Sequence, residues 1–313
     1  MSEVLVTGGA GFIGSHLVEG LVGLGHKVTV LDNLSIGNPQ NLAAVRSAIT
    51  LMEGDVLDPD TVRTAVAGKD FVFHTSANAS VNRSIEDPVM SCRQNVVATI
   101  GLLKASADAG VKRFIFSSST SVYGYAKNLP VTDQHPLQPA SPYALDKVCC
   151  EQYCRLWSTL YGLDTVCLRY FNVYGPRQNP VGVHPGGVTI VINQLRKDGR
   201  SQVLADGRQT RDMIYVGDIV QANICAMRMT GKLDGKAFNI CTGRSVVVAD
   251  MHRKIAELIG VPPKIEGIPM PEGNIIDSAG DPGPARTGLG FEAATSLEEG
   301  LRRTIEWTSG LQG

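Results

Sequence analysis

The chain has no surplus of charge of one sign. Lys and Arg number 29 against 30 Asp and Glu, a net charge of -1. That balance excludes a nucleic-acid binder whose affinity rests on a strongly basic face. Long apolar runs are also missing, and nothing reaches the ~18–20 residues a bilayer span requires. Met1-Ser2-Glu3 leads directly into a strand-like run, without a charged leader, an apolar h-region or a cleavage site, so no membrane or secretory role is expected. Cysteine is sparse and unpatterned. The seven residues (Cys92, Cys149, Cys150, Cys154, Cys167, Cys225, Cys241) are odd in number and lack CxxC spacing. They read as reduced thiols in a cytoplasmic protein. Cys150 and Cys154 share a helix face, but no His joins them at metal-ligand spacing, so no metal is expected. Cys149-Cys150 reads as helix packing rather than redox chemistry. Internal repeats and low-complexity tracts are absent too.

What remains is an ordinary globular composition, 43% apolar and 19% charged over 313 residues. At ~100–200 residues per domain this is one large domain or two interleaved ones. Short, almost wholly apolar runs open the chain: Val4–Val6, Val28–Leu31, Ile49–Leu51, Phe71–Phe73 and Phe114–Phe116, with a further strand at Thr165–Arg169. Such runs suit strands buried on both faces, hence a parallel sheet. Helical stretches near 12–25, 59–67, 91–109 and 144–161 lie between them. This rhythm predicts an α/β fold with a doubly wound, Rossmann-like parallel sheet and ligands at the strand C-termini. Past residue 172 the pattern loosens. Asn172–Gly187 reads as loop, and Gly267–Gly290 is rich in Gly and Pro. The expected division is 1–171, with a returning segment near 213–240, and a smaller C-terminal α/β domain from 172–212 and 241–313. His16 and His26 flank the first helix and are expected at the surface. His74 ends a strand and is expected to be packed and hydrogen-bonded.

The first strand runs into Thr7-Gly8-Gly9-Ala10-Gly11-Phe12-Ile13-Gly14, then a helix. Gly8, Gly11 and Gly14 permit a tight turn, close approach of backbone to a pyrophosphate and close helix–strand packing. The helix N-terminus adds free N–H groups for the phosphates. Asp32 ends the second strand 18 residues after Gly14, placed to accept hydrogen bonds from the adenosine ribose. It would repel a 2′-phosphate, and no Lys or Arg occurs between Thr29 and Val45. The cofactor expected is therefore NAD rather than NADP. Asp55, after the third strand, reads either as an adenine contact or as a carboxylate capping a turn.

Tyr143 and Lys147 stand four apart in Ser141-Pro142-Tyr143-Ala144-Leu145-Asp146-Lys147. Pro142 suits a first helical turn, so both side chains share a face. An ammonium ~4 Å from a phenol favours the phenolate. Ser117-Ser118-Ser119-Thr120-Ser121 ends the fifth strand, where a doubly wound sheet puts its site.

With these residues in view, the sequence resembles the nucleotide-sugar 4-epimerases of the extended short-chain dehydrogenase/reductase family over essentially the whole chain. The carrying motifs are Gly8–Gly14, His74–Pro88, Phe116–Gly124, Ser141–Lys147, Leu168–Pro176 and Gly207–Val216. The resemblance implies that Tyr143 is the acid/base, that Lys147 holds the nicotinamide ribose and that Ser119 bonds the sugar oxygen. It puts Gly8, Gly11, Phe12, Ile13, Gly14, Asp32, Asn33, Asp55, Val56, Ala77, Asn95, Ser117, Tyr143, Lys147 and Tyr170 on NAD. It puts Ala79, Ser119, Tyr143, Asn172, Val188, Arg211, Asn274 and Ser278 on a nucleotide-sugar substrate, with Asn172 and Arg211 at its diphosphate. A homodimer through the helices near 91–109 and 144–161 is implied as well. The implied reaction inverts C4 of a UDP-hexose through a 4-keto sugar.

Thr120-Ser121 replaces the acidic residues that related dehydratases and decarboxylases carry, which disfavours both reactions. Pro271-Glu272-Gly273-Asn274 departs from the family's Arg-Pro-Gly-Asp, and Ala205 stands where an aromatic residue often stacks on the base. Ala79 and Ser278 are small, so glucose and galactose derivatives are expected to be accepted and N-acetylhexosamines tolerated. Uronates come third, through the Arg177–Pro180 loop. A UDP-glucuronate 4-epimerase and a 4-ketoreductase of the same fold remain the enzymatic alternatives. A non-enzymatic NAD-binding regulator is the remote one, since Tyr143, Lys147 and Ser119 are all present.

Overall fold

In the computed structural model of the chain, residues 1–178, 186–269 and 277–310 are described. The apolar runs form β1 (Glu3–Thr7), β2 (Lys27–Asp32), β3 (Ile49–Glu53), β4 (Phe71–His74), β5 (Arg113–Ser119) and β6 (Asp164–Tyr170). Six shorter strands follow: β7 (Asn172–Tyr174), β8 (Arg200–Leu204), β9 (Thr210–Tyr215), β10 (Lys236–Ile240), β11 (Ser245–Val247) and β12 (Lys264–Ile268). Seven of them make one sheet in the order β3-β2-β1-β4-β5-β6-β10, parallel throughout. The chain leaves β1 on one side and resumes at β4 on the other. The reversal opens a crevice at the C-terminal ends of these two strands.

Alternation along each strand builds two apolar layers. Val4, Val6, Val28, Val30 and Ile115 face the helices Phe12–Gly23 and Val216–Arg228. Leu5, Leu31, Val72, Phe114 and Phe116 face Pro59–Val66, Ala98–Asp108 and Pro142–Leu160. Each fully buried side chain of this kind contributes ~1.5–3 kcal/mol over exposure. Such two-sided burial explains why the strands read as continuous apolar runs.

Four details differ from the sequence reading. The stretch near 91–109 is not one α-helix: Pro88–Cys92 passes through a π turn at Arg93–Val97 into Ala98–Asp108. Thr99 Oγ1 bonds the Asn95 carbonyl there at 2.6 Å. Asn172–Tyr174 is a strand and not loop, because it pairs with β9 in register Asn172↔Met213 and buries Tyr174. His16 is half-buried, with Nε2 2.9 Å from the Pro176 carbonyl. His26 is half-buried too, and its Nδ1 accepts from the Ser2 N–H. His74 is buried between Thr7 and Thr99 as expected, with Nδ1 and Nε2 2.7 and 3.0 Å from their hydroxyls.

Beyond β6 the chain builds a three-stranded sheet, β11-β9-β7, and a β12-β8 pair. Helices Gly187–Asp198, Val248–Ile259 and Leu297–Gly310 cover them around Val188, Ile192, Tyr215, Ile255 and Leu301. Helix Val216–Arg228 and β10 return to the main sheet, β10 pairing with β6.

Candidate active site

Glycine is demanded at the mouth of the crevice. Gly8 has φ +68°, and a Cβ there would lie 2.7 Å from the Ser76 backbone. A Cβ on Gly14 would lie 2.2 Å from the Gly8 carbonyl oxygen. The helix starting at Phe12 and Ile13 has no side-chain cap at Gly11, which leaves its first N–H groups for an anion. Asp32 is buried at the end of β2 and accepts from the N–H groups of Ala10 and Leu34, each at 2.9 Å. Burial raises its pKa against those two bonds. Gly8, Leu31, Asp32, Asn33, Gly54, Val56 and Ser76 line a slot of about 40 Å³. Asn33 Nδ2 donates to Asp55 at 2.9 Å, and Asp55 accepts from the Leu57 N–H at 2.8 Å. Asp55 thus caps its turn while standing beside Val56 at the slot. A cradle that side chains would fill, with a carboxylate and no nearby cation, fits NAD.

The second component is the helix Pro142–Leu160. Ser141 Oγ caps it by accepting from the Ala144 N–H at 3.2 Å, and Ser84 Oγ accepts from the Tyr143 N–H at 3.1 Å. Lys147 Nζ donates to the Ser117 carbonyl at 2.8 Å and lies 5.8 Å from the Tyr143 ring centre. Both residues are buried. Ser119 Oγ accepts from the Ser121 N–H at 3.1 Å, which leaves its own hydrogen to donate. Ser117 Oγ meets the Tyr170 hydroxyl at 3.1 Å, and Asn223 donates to that hydroxyl at 2.8 Å. Burial pushes Tyr170 up to about 12, so it stays a neutral phenol.

Sequence reasoning missed the supports beneath these groups. Asp146 accepts from Ser91 Oγ at 2.6 Å and from Asn95 Nδ2 at 3.0 Å. Asn95 in turn accepts from the Asn78 N–H at 2.8 Å, which ties the Ala77–Ala79 segment to the helix Pro142–Leu160. Glu151 binds Arg169 through two contacts of 2.8 and 2.6 Å and accepts from Ser118 Oγ at 2.5 Å. Asp146 follows Tyr143 by three residues and Glu151 follows Lys147 by four. Helical spacing from the two motif residues was the signal available.

A separate cavity of about 310 Å³ is lined by Asn172, Val188 and Arg211 of the expected substrate residues. Tyr174, Gln178, Met213, Val248, Met251 and His252 also line it and were not foreseen. Asn172 Nδ2 is fixed on the Asp212 carbonyl at 3.0 Å and Arg211 Nη1 on the Thr210 carbonyl at 2.7 Å. Burial lowers the Arg211 pKa and the Asp277 carboxylate opposes that shift. Ala79 is exposed and Ser278 half-buried. The Ser278 carbonyl accepts from Ser245 Oγ at 2.9 Å. Neither residue lines this cavity. Asn274, with Pro271-Glu272-Gly273, lies outside the described residues. Arg177 Nη2 pairs with Glu19 at 2.6 Å, while its Nη1 is buried without a hydrogen-bond partner among the described residues.

Residues 4–241 match the NAD dependent epimerase/dehydratase family. The chain is 37% identical over 310 residues to a UDP-glucose 4-epimerase of Mycolicibacterium smegmatis, covering 97% of this chain and 98% of that one. A UDP-N-acetylglucosamine 4-epimerase from Methanobrevibacter ruminantium, solved with UDP-N-acetylmuramic acid, superposes with a TM-score of 0.94 at 34% identity, over 99% of both chains. The UDP-glucose 4-epimerase of Thermotoga maritima with UDP-glucose superposes with 0.93 at 36% identity, over 99% of this chain and 100% of that one.

Proposed function

The chain belongs to the NAD dependent epimerase/dehydratase family, and from that premise we propose that it inverts C4 of a UDP-linked hexose of the glucose/galactose type. One arrangement carries this reading. Lys147, anchored on Ser117, and Tyr143 on its capped helix belong to the same sheet ends as the Gly8–Asp32 slot, while a second cavity holds Arg211 and Asn172.

NAD, when bound, would supply a reversible acceptor for the hydride of the sugar C4–H bond. Tyr143 takes the proton of the sugar 4-hydroxyl and later gives it back, general base and then general acid at one oxygen. Lys147, whose Nζ lies 5.8 Å from the Tyr143 ring centre, orients the nicotinamide ribose. Ser119 donates to the sugar oxygen as it becomes a carbonyl. Arg211 and Asn172 hold the diphosphate, a task suited to a planar guanidinium, while the 4-keto sugar turns its other face. Gly8, Gly11, Gly14 and Asp32 hold the dinucleotide. Thr120 and Ser121 carry no carboxyl, so no acid is placed to remove water from the sugar.

The domain division follows the same logic: 1–171 with the returning segment near 213–240 serves NAD, and 172–212 with 241–313 serves the nucleotide sugar. The protein is further read as a cytoplasmic homodimer. Val89, Val97, Leu156 and Leu160 are exposed on the helices proposed to pair, and a second copy would cover them. No helix of the described residues is long and apolar enough to cross a membrane. Incubation of the purified protein with a panel of nucleotide sugars, followed by NMR, tests the activity. C4 inversion of UDP-glucose and UDP-galactose without added NAD is the expected result. Net oxidation or reduction that consumes added cofactor would indicate a dehydrogenase or ketoreductase instead.

A further inference from the structure

The cavity contains one buried imidazole to which nothing above gives a task. His252 lines it and is only 3% exposed. Its Nδ1 lies 2.9 Å from Ser201 Oγ, and Ser201 is fully buried. That hydroxyl makes no other hydrogen bond among the described residues. Were Nδ1 to carry the proton, the hydroxyl hydrogen of Ser201 would be buried without an acceptor, a costly arrangement. Ser201 therefore donates, Nδ1 accepts, and the ring hydrogen sits on Nε2. Nε2 makes no hydrogen bond among the described residues and is not one of the sealed, unpartnered polar atoms. Its N–H accordingly opens on the cavity. Burial holds the imidazole pKa down at about 4, so at neutral pH this is an uncharged donor.

Topology says which end of a ligand it meets. β7 continues β6 across Phe171, so Asn172 is the cavity residue nearest the catalytic sheet. β9, with Arg211, lies next to β7, and β11 leads into helix Val248–Ile259 at the outer edge. A ligand with its sugar at Tyr143 and its diphosphate at Arg211 presents its nucleoside to Val248, Met251 and His252. The apolar walls suit a flat ring.

We propose that His252 Nε2–H donates a hydrogen bond to the 4-carbonyl oxygen of the nucleobase, selecting a keto pyrimidine (uracil or thymine) over the amino pyrimidine cytosine. This rests on the nucleotide-sugar reading. A donor facing a keto oxygen makes a bond, whereas facing an amino group it leaves two donors opposed.

The test is calorimetric titration of the NAD-loaded protein with UDP and with CDP. The unaltered protein should bind UDP at least ~10-fold more tightly than CDP. His252→Phe should weaken UDP binding by ~10-fold or more and leave CDP nearly unchanged. Ser201→Ala, which frees the tautomer, should lower the preference less, and His252→Gln, which keeps an N–H donor, should preserve part of it. These two variants decide the matter if the Phe variant fails to fold, as judged by thermal melting and bound NAD. Equal losses for UDP and CDP would put the imidazole on the shared 2-carbonyl, the ribose or the phosphates and overturn the proposal, as would an unchanged preference in all three variants. Those results leave C4 epimerisation by the unaltered protein intact. Failure of both nucleotides to bind the unaltered protein would instead remove the nucleotide-sugar reading, and this proposal with it.

Discussion

The NAD crevice is walled by the ends of parallel strands that are hydrogen-bonded on both sides, whereas the 310 Å³ cavity lies among two small sheets and their helices. In the crevice, backbone geometry does most of the positioning. Gly8 must take a positive φ, Gly14 must lack a side chain, and Asp32 is clamped by two N–H groups. In the cavity, side chains projecting from separate elements define the shape. Val188, Met213, Val248, Met251 and His252 come from three different elements. A side chain at Gly8 or Gly14 would collide with backbone, whereas the cavity's shape rests on side chains that can be exchanged one at a time.

The largest effect is expected at the helix Pro142–Leu160. Tyr143→Phe should cut turnover by roughly 100- to 10,000-fold while bound NAD and the melting temperature stay the same; cofactor release on denaturation and a thermal melt check both. Ser119→Ala should cost less, because only a hydrogen bond is lost. Near-normal turnover of the Phe variant would remove Tyr143 from the reaction.

The supporting network is the next target. Arg169→Met leaves Glu151 buried and unpaired, and it should destabilise the fold by ~3–5 kcal/mol in urea titration. Removing both charges, with Arg169→Met and Glu151→Leu together, should recover much of this. If the double variant is no better than the single, the network acts through more than this one ion pair.

Acid should act on both halves, with His74 and Asp133 opposing each other in the first and His252 acting in the second. Burial lowers His74 to about 3 and His252 to about 4 from an ordinary 6.5. For a base so depressed, stability is full above pH ~6.5 and is lost as pH falls towards the folded value, because the unfolded chain takes the proton first. Asp133 works the other way. Burial raises it to about 6, so its contribution is full near pH ~4 and lost as pH rises through 6. Unfolding at pH 5 should therefore take up about one proton net through these three groups, nearly one at each histidine less nearly one released by Asp133. Urea midpoints at pH 7, 6 and 5 measure this, and a His74→Asn variant should show a flatter decline. A stability that rises on acidification would contradict it.

The smallest effect concerns the sugar. Ser278→Tyr should reduce activity on an N-acetylhexosamine derivative by ~10-fold or more relative to the plain hexose. Equal effects on the two substrates, or none, would show that Ser278 does not shape the sugar pocket.

Reading the chain alone reached the six main strands, because a strand buried on both faces must be apolar at every position. It did not reach β10, whose Lys236-Ala237-Phe238-Asn239-Ile240 is interrupted by two polar residues, nor β7, three residues that are strand only because β9 lies beside them. The π turn at Arg93–Val97 likewise leaves no mark in an ordinary helical pattern. Within the site, the glycine turn, Asp32, Tyr143 and Lys147 were visible because each obeys a local rule of spacing. Glu151 with Arg169, and Asp146 with Asn95, were not visible, since their partners lie 18 and 51 residues away.

Periodicity and steric limits act over a few residues, so the parallel sheet, the tight turn and the helix that carries the phenol and the ammonium follow from local sequence. Which buried charges find partners, that Arg177 meets Glu19, and which tautomer of His252 Ser201 holds were settled only by folding. Those outcomes depend on burial and on hydrogen-bond partners that folding brings from distant parts of the chain.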